Sequence, residues 1–78
     1  MARTFYQFRV RRQAFLRWMA RRNVSQNDLA RRCGISSGFM SQLLSGKRNA
    51  GPKTRARITA AFPRDDFDKL FEEIELDG

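Results

Sequence analysis

The chain has 78 residues, 41% of them hydrophobic, which is enough for one small helical core but not for a core plus a buried cofactor chamber. It contains one cysteine, Cys33, and no histidine, which excludes an internal disulfide, Cys/His metal sites and the usual Cys–His or Ser–His catalytic pairs. We therefore expect no metal, no cofactor and no enzymatic activity.

Charge is distributed unevenly along the chain, whose net charge is +8. Residues 1–62 contain fourteen basic groups and one acidic group, whereas residues 63–78 contain two basic and seven acidic groups. This segregation concentrates positive charge on the part that would meet a polyanion, which favours nucleic acid as the partner. Because no uninterrupted apolar run forms a signal peptide or a membrane span, we expect a cytoplasmic protein.

Residues 1–10 differ from the sequence that follows. Tyr6, Phe8 and Val10 alternate with polar residues, a period of two that is typical of a strand. We interpret this segment as an N-terminal arm or strand preceding a domain at residues 11–78, with an early start of the first helix as an alternative. Its arginines would either follow a DNA groove as an arm or face outward from a strand that pairs with its equivalent in a second subunit. The arm candidates are Arg3, Arg9, Arg11 and Arg12.

The middle of the chain predicts three short helices in succession. Apolar residues at i, i+3 and i+4 indicate a first helix over about residues 11–23. Ser25 caps a second helix of about eight residues, which ends at Gly34 because glycine adopts a positive φ without steric cost. After this tight turn, Ser36 caps a third helix that runs to about Ser45.

Two more helices complete a predicted all-α fold of five helices. Pro52 suits the first turn of a fourth helix of about ten residues, and Pro63 ends it. Asp65 or Asp66 would cap the last helix, whose apolar residues fall at i, i+3, i+4 and i+7. This last stripe either packs onto the chain's own core or forms a dimer interface. The stripe consists of Phe67, Leu70, Phe71 and Ile74.

Residues 26–48 resemble the helix-turn-helix of the phage-repressor/Cro-like (XRE-type) family, and the resemblance extends over about residues 13–71. The matching positions are Gln26, Ala30, the turn at Gly34 and Ile35, Met40, Leu43 and the basic loop at residues 46–49. The resemblance implies a lambda-repressor-like fold and a DNA-binding transcriptional regulator of bacterial or phage origin, most simply a repressor that occludes an operator. Ala50 and Gly51 lengthen the loop by two residues relative to the family, and the link at residues 62–65 is about one residue short.

Helical periodicity selects the residues that would face the bases of double-stranded DNA. The N-terminal part and the outward face of the third helix enter the major groove in such motifs. Gln42 suits paired hydrogen bonds to an adenine edge, whereas Ser36 is the better candidate for a helix cap than for a base contact. The predicted base-contacting residues are Ser36, Ser37, Gly38, Ser41 and Gln42.

Phosphate contacts should outnumber base contacts, and they are expected on two sides of the recognition helix. One group lies on the second helix, and the other follows the third helix in the basic loop and at the start of the fourth. The predicted phosphate-contacting residues are Gln26, Arg32, Lys47, Arg48, Asn49, Lys53 and Thr54.

A recognition helix that offers mostly serines and one glutamine makes few strong base contacts, so a monomer would discriminate poorly between sequences. A homodimer on a two-fold symmetric operator doubles the contacts, and we expect that assembly. Two other functions remain open from the sequence. One is an antitoxin that autoregulates its operon through the same fold and binds a toxin, and the other is a protein that binds RNA or RNA polymerase.

Overall fold

The computed structural model describes residues 4–77, which form a mostly helical unit closed by a two-stranded antiparallel sheet. The helices are short, and the two strands lie near opposite ends of the chain. In chain order the elements are β1 (Thr4–Val10), α1 (Arg12–Arg22), α2 (Gln26–Cys33), α3 (Ser37–Ser45), α4 (Pro52–Ala61), α5 (Phe67–Leu70) and β2 (Phe71–Asp77).

The helix ends follow from local chemistry. At the start of α2 the Ser25 hydroxyl accepts a hydrogen bond from the Asp28 amide, and the Asp28 carboxylate accepts one in return from the Ser25 amide, which completes a capping box. Gly34 and Gly46 end α2 and α3 at φ values of 69° and 80°, in the left-handed region that favours glycine. The predicted bounds of the first four helices are thereby confirmed to within two residues.

The last element corrects the expectation of an all-α fold. The predicted helix at residues 67–74 ends after one turn, because Phe71 is already extended (φ −129°, ψ 143°) and begins β2. β2 pairs with β1 in antiparallel register, from Val10 opposite Phe71 to Thr4 opposite Asp77. A short helix is marginal by itself, whereas the strand gains a complete ladder of backbone hydrogen bonds from a distant partner. The helical spacing of the apolar residues was therefore misleading.

Over the described residues 4–10 the N-terminal segment is a strand and not a free arm, but it does not pair with its equivalent in a second subunit as the strand alternative expected. β1 pairs with β2 of the same chain, and Val10 at its end is buried in the same core as the helices. The Ala50 amide donates to the Phe8 carbonyl at 2.7 Å, so the loop after α3 also holds the strand. The division of the chain into an N-terminal segment at residues 1–10 and a DNA-binding domain at residues 11–78 stays a prediction.

The strands β1 and β2 form a two-stranded ribbon. The hydrophobic core lies where the helices meet the end of this ribbon that contains Val10 and Phe71. Phe62 connects α4 to α1 through edge-to-face contacts, with ring centroids 5.6 Å from Phe15 and 5.1 Å from Trp18. The Arg11 guanidinium fastens the ribbon to α5, because its Nε donates to the carbonyl oxygens of Asp68 and Phe71. The largest fully buried side chains are Phe15, Leu29, Met40, Leu43, Ile58 and Phe71.

None of the helices in the described part of the chain is long and apolar enough to cross a membrane.

Candidate nucleic-acid interface

The angle between α2 and α3 is set by a tight turn and a small residue where the helices pack. Ala30 is 2% exposed, and its carbonyl accepts a hydrogen bond from the Ile35 amide at 3.0 Å, directly across the turn. Met40 and Leu43 on the inner face of α3 are 1% and 0% exposed. A side chain larger than the methyl group of Ala30 would push the two helices apart. This close packing holds α3 at a fixed angle to α2.

The outer face of α3 carries the predicted base-contacting residues. Ser37, Gly38 and Ser41 are exposed, and Gln42 is half-buried. Within residues 4–77, the side chains of Ser37, Ser41 and Gln42 form no hydrogen bond with another part of the chain. A Cβ built on Gly38 would meet nothing within 4 Å, so the protein's own packing does not require a glycine there. The helix therefore presents unpaired polar groups and a small residue outward.

Ser36 differs from its neighbours on this face. Its hydroxyl accepts a hydrogen bond from the Phe39 amide at 3.1 Å and caps α3. One lone pair of this oxygen is engaged in the cap, which agrees with the capping role expected for this serine.

The start of α2 lies on the other side of the turn and exposes Gln26. Asp28 behind it is drawn into the capping box, and hydrogen bonds from the side chain and the backbone of Ser25 lower the pKa of its carboxyl group, with a smaller contribution from Arg31. The carboxylate thus satisfies the local amide and hydroxyl of Ser25, and Gln26 remains available to a phosphate.

Of the two residues that lengthen the loop after α3, Ala50 and Gly51, the first contacts β1. Ala50 is buried, its amide donates to Phe8 of β1, and its carbonyl accepts a hydrogen bond from Arg55 at 2.8 Å. The Arg55 guanidinium in turn lies 4.4 Å from the centroid of the Phe8 ring. The insertion is therefore a docking point for β1, which a pattern of short-range spacings does not reveal.

Docking of this loop affects the predicted phosphate contacts unequally. Lys47, Arg48 and Lys53 are exposed, and Thr54 is half-buried. The Asn49 amide group donates to the side-chain oxygen of Gln7 at 2.5 Å, so this side chain is held by β1. The loop thus offers two cations after the recognition helix, and the start of α4 offers a third.

Two of the predicted DNA-contacting arginines are engaged within the protein. The Arg32 Nε donates to the Ala61 carbonyl at 3.1 Å, and its guanidinium lies over the rings of Trp18 and Phe62. Arg11 joins the ribbon to α5, as described above. Both contacts use the Nε of an exposed arginine and orient its guanidinium toward the protein's own backbone or rings.

Two of the remaining arm candidates lie beside the end of α3 and not in a flexible arm. Arg9 and Arg12 line a small hollow with Leu43, Leu44, Ser45 and Gly46, beside the C-terminal end of α3. Arg3 lies outside the described residues. The end of β1 and the start of α1 therefore bring Arg9 and Arg12 to the recognition helix from more than 30 residues away, which sequence spacing alone does not reveal.

The four residues of the predicted dimer stripe differ in how deeply they are buried. Leu70 and Phe71 are buried in the chain's own core, and the Phe67 ring packs on Phe8 and Phe71. Ile74 is half-buried on the ribbon. For the two buried residues the structure thus supports the alternative of core packing.

Most of the positive charge near this surface is not neutralised by the protein itself. Among residues 4–77, one ion pair is found, between Arg31 and Asp28 at 3.5 Å, and both side chains are exposed. No group of three metal-ligating side chains occurs among the same residues. The arrangement therefore suits a polyanion that is bound by cations and read by amide and hydroxyl groups.

Comparison with known proteins agrees with this geometry. Residues 15–54, just over half of the chain, match the family model of the Cro/C1-type HTH DNA-binding domain. Searches of curated proteins and of solved structures found no significant match. The match includes α2, the turn, α3 and the start of α4, and it ends before β2. The chain therefore belongs to the Cro/C1-type helix-turn-helix DNA-binding family.

Proposed function

We propose that this protein is a sequence-specific transcriptional regulator that binds double-stranded DNA as a homodimer and represses by occupying an operator. The observation that carries the proposal is the outer face of α3. There the side chains of Ser37, Ser41 and Gln42 form no hydrogen bond with the described residues 4–77, while the inner face is buried. Polar side chains in this position suit the donor and acceptor pattern of the major groove.

Affinity in this proposal comes chiefly from the phosphates on both sides of the groove. Gln26 and the start of α2 contact one strand, while Lys47, Arg48 and Lys53 contact the backbone at the other end of the recognition helix. Arg9, beside Gly46, extends this second group. The internal contacts of Arg32 and Asn49 make these two the weakest of the predicted phosphate ligands.

Selectivity in this proposal requires two copies, and the ribbon offers a surface for the second. Phe5 and Leu76 lie opposite each other in the ladder, on one face, and are 48% and 38% exposed. Ile74 lies two residues from Leu76 on the same face. Two exposed apolar side chains beside the half-buried Ile74 favour self-association of this face. The recognition helices would then lie one helical turn of DNA, ~34 Å, apart or a multiple of it.

The proposal is tested by selecting binding sites from random duplex DNA with the wild type and with Gln42→Ala. We expect the wild type to enrich a two-fold symmetric sequence. Loss of a paired contact should relax one base pair in each half-site by about 1–3 kcal/mol of discrimination. Gln13→Ala, the same change on an exposed glutamine of α1, is the matched control and should leave the profile unchanged. No enrichment by the wild type, or an identical profile for Gln42→Ala, would contradict the proposed reading mechanism.

A further inference from the structure

A second concentration of positive charge lies outside the helix-turn-helix. An open groove of about 1130 Å³ runs between the end of β1, α1 and the segments that flank α5. Of the described residues that line it, eight are basic and two are acidic, and none belongs to α2, α3 or the loop between α3 and α4. Arg9 and Arg12 line both this groove and the hollow beside the end of α3, whereas Arg17, Arg21 and Arg64 line the groove alone.

The charges on α1 are placed where they repel one another. Arg17 and Arg21 are one helical turn apart, both are exposed, and the helix has no acidic residue between Arg12 and Arg22 to offset them. Like charges at i and i+4 destabilise a helix. Arg64, from the link between α4 and α5, lines the same groove. An anion bound across these guanidinium groups would relieve the repulsion.

The protein does not supply that anion. In the described part of the chain the single ion pair is that of Arg31 with Asp28, so no carboxylate lies within 4 Å of Arg17, Arg21 or Arg64. Asp65 and Glu72 also line the groove, and its formal charge is still +6. A polyanion with closely spaced charges matches such a surface better than a single small anion does, because each neutralised phosphate releases counterions.

The residues that line the groove also indicate whether it suits a single strand or a duplex. Single-stranded RNA and DNA are held by aromatic side chains on which bases stack. Of the aromatic residues in this groove, Phe15 and Phe62 are buried, and Trp18 is half-buried with Arg22 over its ring. The groove thus offers cations without a free stacking platform, which favours the backbone of a duplex.

We propose that this groove binds the phosphate backbone of a second DNA duplex, so that one chain connects two DNA segments. The inference rests on the proposed function for the first segment, which the helix-turn-helix holds. The second contact involves no base reading, and it therefore accepts any duplex sequence and depends steeply on salt.

The test is a capture experiment. A duplex of about 20 base pairs that carries the selected sequence is immobilised and saturated with the protein, and a fluorescent duplex of unrelated sequence is then added. The wild type should capture the second duplex. The triple variant Arg17→Gln, Arg21→Gln, Arg64→Gln should capture about tenfold less, and the salt slope of capture should fall by about three units. Its binding to the immobilised duplex should change less than about twofold.

A second triple variant, Lys47→Gln, Arg48→Gln, Lys53→Gln, removes the same charge from the loop after α3 and the start of α4. It should weaken binding to the selected duplex and leave affinity for the unrelated duplex at the groove. Circular dichroism should confirm that both variants fold, and Arg21→Gln alone should show a smaller loss of capture in the same direction.

Four results would overturn the inference. They are no capture by the wild type, undiminished capture by the groove variant, equal losses of both binding steps in the two triple variants, and displacement of the second duplex by double-stranded RNA in preference to DNA. The second result would mean that the two recognition helices of a dimer hold the two duplexes. Failure of the wild type to select any sequence would contradict the proposed function instead, and capture of two unrelated duplexes would still support the groove.

Discussion

Ser36 and Ser37 are neighbours in the sequence and have different environments. The Ser36 hydroxyl caps α3 through the Phe39 amide, whereas the Ser37 hydroxyl is exposed and unpaired within the described residues. A cap satisfies an amide that would otherwise lack a partner, so its value is in stability. An exposed hydroxyl on the first turn of this helix contributes nothing comparable to the fold, and we propose that its value is in contact with DNA.

This difference predicts opposite effects of the same substitution. Ser36→Ala should lower the free energy of unfolding by about 1 kcal/mol, because the Phe39 amide loses its partner. Ser37→Ala should leave stability nearly unchanged and weaken DNA binding. Urea unfolding together with a binding titration distinguishes the two, and each variant is the control for the other. Equal stability of both variants would show that the cap is dispensable.

Cys33 gives a prediction about pH. It is 2% exposed at the end of α2, and burial raises the pKa of its thiol to about 11. The folded state therefore favours the protonated thiol, and the stability that this contributes is present below the unfolded pKa near 9 and is lost as the pH rises toward 11. Cys33→Ala should flatten the decline of stability over this range. An alkylating reagent at pH 8 should react only when the protein unfolds, whereas fast labelling of the folded protein would contradict the buried position.

At the scale of elements, the ribbon is the part that the helical pattern concealed. Its inner face places Val10 and Phe71 in the core and Phe8 against Phe67 and Arg55. Its outer face leaves Phe5 and Leu76 exposed. A two-stranded ribbon is marginal without such packing, so the contacts of its inner face and of the loop at Ala50 hold it in place.

The two faces of β2 allow a matched pair of substitutions. Leu76→Gln should weaken the proposed dimer, because it removes apolar area from the outer face, whereas Glu75→Gln changes the neighbouring residue on the opposite face and should not. Sedimentation at several concentrations measures the difference. A wild type that remains a monomer both free and on its selected DNA would remove the ribbon from the proposed mechanism.

At the scale of the whole molecule, the loop after α3 carries basic residues and no acidic residue. The acidic residues of the C-terminal part occupy α5, its preceding link and β2, while the loop after α3 keeps Lys47 and Arg48 exposed. This separation keeps the carboxylates from competing with phosphates for the cations near the recognition helix. Electrostatic attraction of the DNA backbone is then a property of the fold and not of one residue.

The salt dependence of binding measures this contribution. Arg48→Ala should weaken binding to all duplexes alike and reduce the slope of log K against log salt by about one unit, because one fewer phosphate is neutralised. The Gln42→Ala variant should keep the wild-type slope and change only sequence preference. A slope that does not change in Arg48→Ala would show that this side chain does not contact a phosphate.

The sequence by itself determined the helix-turn-helix. Its capping serines, its left-handed glycines, the small Ala30 and the inner stripe of α3 all act within a few residues, so each could be recognised from local spacing. Only the tertiary structure decided that residues 4–10 and 71–77 pair as strands. It also decided the contact of the inserted Ala50 with β1 and the internal contacts of Arg11 and Arg32. These depend on partners up to 73 residues away, as Thr4 is from Asp77. A strand has no ladder until its partner is present, and Phe71 and Ile74 have a spacing that fits a helix face as well as a ribbon.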